Sequence, residues 1–289
     1  MKGSRLAALG ALLFVMQGVI AAEPARALHL NLDDLALKSD AVLVVDPDSG
    51  ETLAAKSADD VLPIASLTKL MTALVVIDAR QPADEILEIT DEDVDREKST
   101  PSRLRVGTRL SRDELLQLAL MSSENRAATA LSRNYPGGRD AFIAQMNTKA
   151  LALGMMATHF ADAAGLSSRS VSSARDLQRL VAAANQQPLI RDYTTQLERV
   201  VRVQRRNLRF VNSNRLVRRA SDWDIELQKT GFTNEAGRCL VMQVRILHRR
   251  LTMIFLKSVG KLTRYGDASR VRRGLEDMER SLAQVSLSQ

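Results

Sequence analysis

Ser66-Leu67-Thr68-Lys69 sets a hydroxyl and an amine three residues apart at the head of a segment with helical apolar spacing. One turn of helix brings both onto the same face. A serine hydroxyl is a weak nucleophile and needs a base beside it. A lysine serves once a desolvated, cation-rich site lowers its pKa enough to leave part of it neutral. The helix N-terminus adds partial positive charge that favours a developing oxyanion. The pair therefore points to nucleophilic acyl transfer, provided that other groups assemble around it. Alone the spacing is weak, and Ser258-Val259-Gly260-Lys261 repeats it.

Two further elements add weight. Ser123-Glu124-Asn125 offers a hydroxyl that can relay a proton and an amide that can hold substrate. Lys229-Thr230-Gly231 opens an expected strand with a cation, a hydroxyl and a residue small enough for an extended substrate to lie beside the strand edge. Ser132-Arg133-Asn134 also matches the middle element. Ser123 is preferred because Met121 to Asn125 closes an apolar helix and begins a turn-like break.

The elements that must position these groups can be read from periodicity. Ala41 to Asp46, the Pro47-Asp48-Ser49-Gly50 turn and Glu51 to Lys56 predict a hairpin. Leu67, Leu70, Met71, Leu74 and Val75 predict a helix over 66–80. Helical patterns run from Ser111, whose Glu114 completes a capping box, through 141–153 and 174–184 to about Asn185. Past Pro188 the texture turns β-branched, with strands expected over 199–203, 238–247 and 249–259, and a last amphipathic helix over 267–284. The fold class is α+β: an antiparallel sheet flanked by helices, with an inserted helical subdomain over roughly 81–188.

Ser-x-x-Lys, Ser-x-Asn and Lys-Thr-Gly in this order form the signature of penicillin-binding proteins and class A β-lactamases. The chain resembles the low-molecular-mass penicillin-binding proteins, the D-alanyl-D-alanine carboxypeptidase and endopeptidase family of serine peptidases. Pro63 to Ala73, Ser122 to Ala127 and Lys229 to Leu240 look most like the endopeptidase branch. The resemblance implies a β-lactamase/transpeptidase-like fold over nearly all of residues 28–289. It also implies peptidoglycan stem peptides as substrate and β-lactam antibiotics as covalent inhibitors. By it, Ser66 attacks the D-Ala carbonyl, Lys69 takes the proton and Ser123 passes a proton to the leaving amine. Asn125 and Lys229 position substrate, Thr230 binds a substrate carboxylate or carbonyl, Gly231 lets the substrate lie close, and the backbone N–H groups of Ser66 and Phe232 form the oxyanion hole. From Arg126 to Leu197 there is no glutamate, so the base that a class A β-lactamase uses to hydrolyse its acyl-enzyme has no candidate there, and penicillin is expected to stay on Ser66. The cleaved bond is expected to be the D-Ala to diaminopimelate cross-link, with the terminal D-Ala-D-Ala bond as alternative. A non-catalytic cell-wall binding protein is the rival of another class.

Composition bounds the setting. Lys2, Arg5 and the apolar run from Leu6 to Ile20 have the layout of a secretory signal peptide. Cleavage after Ala27 leaves residues 28–289; cleavage after Ala21 is the other option. The expected location is the periplasm, with no membrane anchor after cleavage, since residues 232–289 leave no room for an added anchoring domain. The net charge of +7 falls to about +5 with the signal. Much of it lies between Arg199 and Arg219, read either as the solvated face of strands or as a docking surface for anionic polymers. Nucleic acid is excluded as a partner by export and by the lack of interleaved aromatics. Cys239, the sole cysteine, sits among Leu240, Val241 and Met242 and reads as buried and structural. His29, His159 and His248 lack a nucleophile-elbow pattern, and the acidic run Asp91, Glu92, Asp93 and Asp95 lacks calcium-loop spacing and reads as a solvated turn. No metal or cofactor is expected.

Overall fold

The computed structural model describes residues 30, 32–203, 205–219 and 222–287. The signal-peptide reading and His29 lie outside them. A short helix α1 (Leu32–Leu35) leads into the hairpin β1 (Ala41–Val45) and β2 (Thr52–Lys56). Near the end of the chain come three long strands, β9 (Asp224–Thr233), β10 (Gly237–Ile246) and β11 (Arg249–Ser258), and helix α8 (Thr263–Leu287). These strands form one antiparallel sheet in the order β2-β1-β11-β10-β9. Both faces are covered, which is why β1 reads as an unbroken apolar run. Ala41, Leu43 and Val45 enter the core shared with the helical half, whereas Val42 and Val44 pack towards α1 and α8 with Phe255, Ala268 and Val271.

Between the two blocks of strands lie, in chain order, β3 (Leu62–Pro63), a 3₁₀ turn (Ala65–Thr68), α2 (Lys69–Asp78), β4 (Ile86–Glu88), β5 (Arg109–Ser111), α3 (Arg112–Met121), α4 (Asn125–Arg133), α5 (Gly138–Ala152), β6 (Val171–Ser172), α6 (Ala174–Asn185), α7 (Pro188–Thr195), β7 (Glu198–Val203) and β8 (Arg206–Val211). The short strands pair locally as β3-β6, β4-β5 and β7-β8. Helix α2 is buried on every side from Lys69 to Val76, so it runs through the core instead of along its surface. The Ser111 capping box at the head of α3 is formed as its sequence predicts.

Four expectations are corrected. Ser66 lies in the 3₁₀ turn that precedes α2, not in the α-helix itself. Pro188 does not open the β-rich part of the chain: it occupies the first turn of α7, where its missing N–H costs nothing. Lys229-Thr230-Gly231 does not begin its strand but lies in the second half of β9. The acidic run is not a free solvated turn either. Asp93 is buried, completes a capping box with Thr90 and meets Arg133 and Arg139.

Candidate active site

Strand β9 is the edge of the large sheet, and the 3₁₀ turn bearing Ser66 packs directly against it. Two glycines make that approach possible. A Cβ at Gly231 would stand 2.9 Å from the Ile64 carbonyl oxygen and 3.2 Å from the Ser66 nitrogen. On the other side Gly165, at φ +75°, lies so close that a Cβ would fall 1.9 Å from the Ala65 carbonyl oxygen. Ala65 itself is held at φ +48°, a left-handed conformation that only a surrounding structure maintains in a residue with a side chain.

Lys69 points from the first turn of α2 into this corner. Its Nζ donates to Ser66 Oγ at 2.9 Å, to Asn125 Oδ1 at 2.7 Å and to the Ala164 carbonyl at 2.7 Å. The side chain is 1% exposed. Burial pushes the amine down from its ordinary 10.5 to about 7, against the pull of the Asp162 and Glu124 carboxylates, which favour the charged form. Near neutral pH the group is thus divided between ammonium and amine, the condition a proton acceptor requires.

Ser123 occupies the break between α3 and α4 at φ +62°, which turns its hydroxyl towards β9. Lys229 Nζ donates to Ser123 Oγ at 2.9 Å and to the Thr230 carbonyl at 2.9 Å. Burial, and then the neighbouring Lys69 and Arg264 cations, hold Lys229 well below its ordinary range. Thr230 Oγ1 donates to Ser213 Oγ at 2.8 Å. Phe232, just past Gly231, is 51% exposed with the Arg238 guanidinium stacked over its ring. The structure therefore gathers Ser66, Lys69, Ser123, Asn125, Lys229, Thr230 and Gly231 in one corner, with Phe232 at its open end.

The sequence pattern of the D-alanyl-D-alanine carboxypeptidase family matches residues 28–259. The chain belongs to this family of serine peptidases. It is 48% identical over 242 residues to a D-alanyl-D-alanine endopeptidase of Pseudomonas aeruginosa, covering 83% of this chain and 78% of that one. An Escherichia coli protein of the same name is 43% identical over 273 residues, covering 94% and 86%. Among solved structures, a Streptomyces DD-transpeptidase variant superposes with a TM-score of 0.76 at 25% identity over 83% of this chain and 98% of that one. A Listeria monocytogenes penicillin-binding protein in its cefotaxime-bound form gives 0.73 at 29% over 82% and 97%. The α+β, transpeptidase-like fold expected from the motifs is the fold observed.

Several groups that shape this peptidase site escaped the sequence reading. Thr100 Oγ1 accepts from Asn125 Nδ2 at 2.9 Å and donates to Asp95 Oδ2 at 2.7 Å. Because hydroxyl and carboxylate are so arranged, the Asn125 amide is fixed with its oxygen towards Lys69. Asp95 also accepts from the backbone N–H groups of Glu97, Lys98 and Thr100, which shapes the loop carrying Thr100. Asp162 gathers the N–H groups of Ala164, Gly165, Leu166 and Ser167, and so aims the Ala164 carbonyl at Lys69 and the Ala163 carbonyl at Thr72. Arg264 on α8 donates to the Gly231 carbonyl at 3.0 Å. The turn chemistry of Asp162-Ala163-Ala164-Gly165 is a signal that pattern reading had within reach. The partners of Asn125 and Gly231 are distant in sequence and carry no such signal.

The competing matches fall elsewhere. Ser132 and Asn134 bond back to carbonyls of their own helix, and Ser258 pairs with Ser39 near α8. His159 lies in a backbone bridge with Val171, and His248 in the turn between β10 and β11. Cys239 is fully buried, and burial pushes its thiol up to about 11, the state of an inert structural cysteine. Among the described residues no group of three histidines, cysteines or carboxylates is placed to hold a metal ion.

Proposed function

We propose that the chain is a periplasmic serine D,D-endopeptidase that cuts the D-Ala to diaminopimelate cross-link between peptidoglycan stem peptides through an acyl-enzyme on Ser66. The observation that carries the reading is the buried Lys69 amine, near half-neutral at pH 7, bonded at once to Ser66 Oγ and to Asn125. Lys69 accepts the Ser66 proton as the hydroxyl attacks the D-Ala carbonyl. The developing oxyanion is met by the backbone N–H groups of Ser66 and Phe232, which flank the close contact of Gly231 with the turn. Ser123, polarised by Lys229, passes a proton to the departing amine, and Asn125 uses its remaining amide hydrogen on the acyl peptide. Thr230 and Ser213 receive the carboxylate next to the scissile bond. Water then releases the acyl group. The choice of the cross-link over a terminal D-Ala-D-Ala bond rests on the two relatives named endopeptidases.

β-Lactams enter the same chemistry and are expected to stay. Asp162 is the nearby carboxylate between Arg126 and Leu197, and its oxygens are filled by backbone N–H donors, which leaves it unsuited to activate a deacylating water. Export rests on the N-terminal sequence, and among the described residues no helix is long and apolar enough to cross a membrane. The test is digestion of cross-linked muropeptide dimers and of pentapeptide monomers, with benzylpenicillin labelling followed by peptide mass spectrometry. Cleavage of the dimer and a lasting adduct on the Ser66 peptide are expected. Loss of only the terminal D-Ala would make the protein a carboxypeptidase, and no adduct would remove Ser66 as nucleophile.

A further inference from the structure

Beyond Thr230 and Ser213 the site opens into a cleft of about 460 Å³ lined by Ser122, Ser213, Asn212, Ser102 and Arg103, with the Glu124 carboxylate also on its wall, held there by Ser102. It adjoins a second cleft of about 480 Å³, which shares Ser102 and Arg103 and continues between Arg105 and Arg206. The far wall is the β7-β8 hairpin, where Phe210 faces the core and the arginines face outward. The Arg103 guanidinium stacks on Phe210 at 4.1 Å and donates to the Arg209 carbonyl, which fixes it at the junction of the two clefts.

The charge of this second cleft is unbalanced. Some exposed arginines meet carboxylates, as Arg96 does Asp91 and Arg250 does Asp48, whereas others among the described residues, such as Arg109 and Arg169, stand alone and apart; what marks this cleft is that three of them line one concavity. Among the described residues Arg103, Arg105 and Arg206 make no ion pair, and no carboxylate lines the second cleft, which they share. Three guanidiniums around one concave surface favour an anionic ligand with several carboxylates along its length. A solvated strand face would not require them to converge.

The side on which this cleft lies gives the ligand. Resting on the reading above, the acyl half of the substrate passes Phe232, so the half that departs lies towards Ser123, Thr230 and Ser213, at the mouth of the first cleft. We infer that the Arg103-Arg105-Arg206 cleft holds the carboxylates of the departing stem peptide and thereby selects cross-linked dimers over single stems. A departing D-alanine is one residue and ends at Thr230 and Ser213. A departing stem carries further carboxylates beyond the one next to the scissile amide, and these reach the arginines.

The double variant R105Q/R206Q tests this, since both residues are exposed and lie away from the Ser66 corner. The readout is the ratio of kcat/KM on a cross-linked muropeptide dimer to kcat/KM on a pentapeptide monomer. An exposed charge contact contributes up to roughly fivefold, so loss of two is expected to lower the ratio about tenfold, mainly through KM for the dimer. Raising sodium chloride from 0.05 to 0.5 M is expected to bring the wild-type ratio down towards that of the variant, because exposed charges are screened. An unchanged ratio, or an equal fall on both substrates, overturns the inference while leaving the endopeptidase reading intact. A wild-type protein that trims pentapeptides and leaves dimers whole overturns the endopeptidase reading, and this inference with it.

Discussion

If Lys69 is the proton acceptor, acylation must follow the fraction of it that is neutral. With its pKa at about 7, neutral amine makes up roughly 1 part in 100 at pH 5, roughly 1 in 10 at pH 6 and roughly 9 in 10 at pH 8. The second-order rate constant for benzylpenicillin acylation, measured by rapid quench and mass spectrometry from pH 5 to 9, should therefore rise about tenfold per unit below pH 6 and level off above pH 8. The charge environment offers an independent handle. Glu124 is one of two carboxylates that hold the Lys69 proton, so Glu124→Gln is expected to move the rising limb to lower pH and to raise acylation at pH 6 about two- to threefold. The direction is informative because Glu124 also caps α4 and accepts from Ser102 at 2.6 Å, so simple damage would lower the rate instead. A profile flat between pH 5 and 7, or a limb centred near the ordinary lysine value, would refute Lys69 as the base.

Thr100→Val is expected to leave the fold intact and lower acylation about tenfold, because Asn125 loses the acceptor that fixes its amide; Thr100→Ser should restore most of it, and a Thr100→Val protein as fast as wild type would remove the positioning role. Gly231→Ala places a methyl against backbone at 2.9 Å and 3.2 Å, so the Ser66 turn must move; acylation is expected to fall at least a hundredfold with roughly 1–3 kcal/mol of stability lost, as read by penicillin labelling and urea unfolding. The lysines also give stability a pH dependence. Both have folded pKa values below the unfolded 10.5, so the unfolded chain binds more protons in that window and stability rises with pH. Lys69 alone contributes on the order of 3 kcal/mol between pH 7 and 9.5, to be checked as a rise in Tm that shrinks in Lys69→Met.

What could be read in advance was what depends on near neighbours. The Ser111-Glu114 capping box, the Pro47 to Gly50 turn and the Leu67, Leu70, Met71 and Leu74 spacing are local; the first two elements formed as expected, and the helix formed from Lys69 on, with Ser66 and Leu67 in the 3₁₀ turn before it. Pro188 was ambiguous because the same missing N–H ends one helix and starts another. The start of β9, before Lys229-Thr230-Gly231, and its buried middle were hidden by composition. Gln228 and Lys229 look like surface residues, yet both are buried, Gln228 because it bonds the Thr194 carbonyl and Asn212 and Lys229 because the site needs it there. The residues that the structure gathers around Ser66 were legible from their motifs. Their supports were not, because Thr100 meets Asn125 and Arg264 meets Gly231 only after the chain has folded back on itself.

The two lysines explain why the site carries both. A single buried ammonium near Ser66 would stabilise an oxyanion but accept no proton, and a single neutral amine would accept the proton but leave developing charge unopposed. Placing two amines in one buried corner, with Arg264 behind, makes their charging mutually unfavourable, so protonation of one discourages protonation of the other. Lys69 faces Ser66 and has Asp162 and Glu124 to draw a proton towards it, whereas Lys229 faces Ser123 and the Thr230 carbonyl. On the proposed mechanism, when Lys69 takes the Ser66 proton its charge presses on Lys229, the donor to the Ser123 hydroxyl that would protonate the leaving amine. In that mechanism the same repulsion that costs the folded state stability would favour passage of a proton from Lys229 through Ser123 to the departing amine once Lys69 is charged.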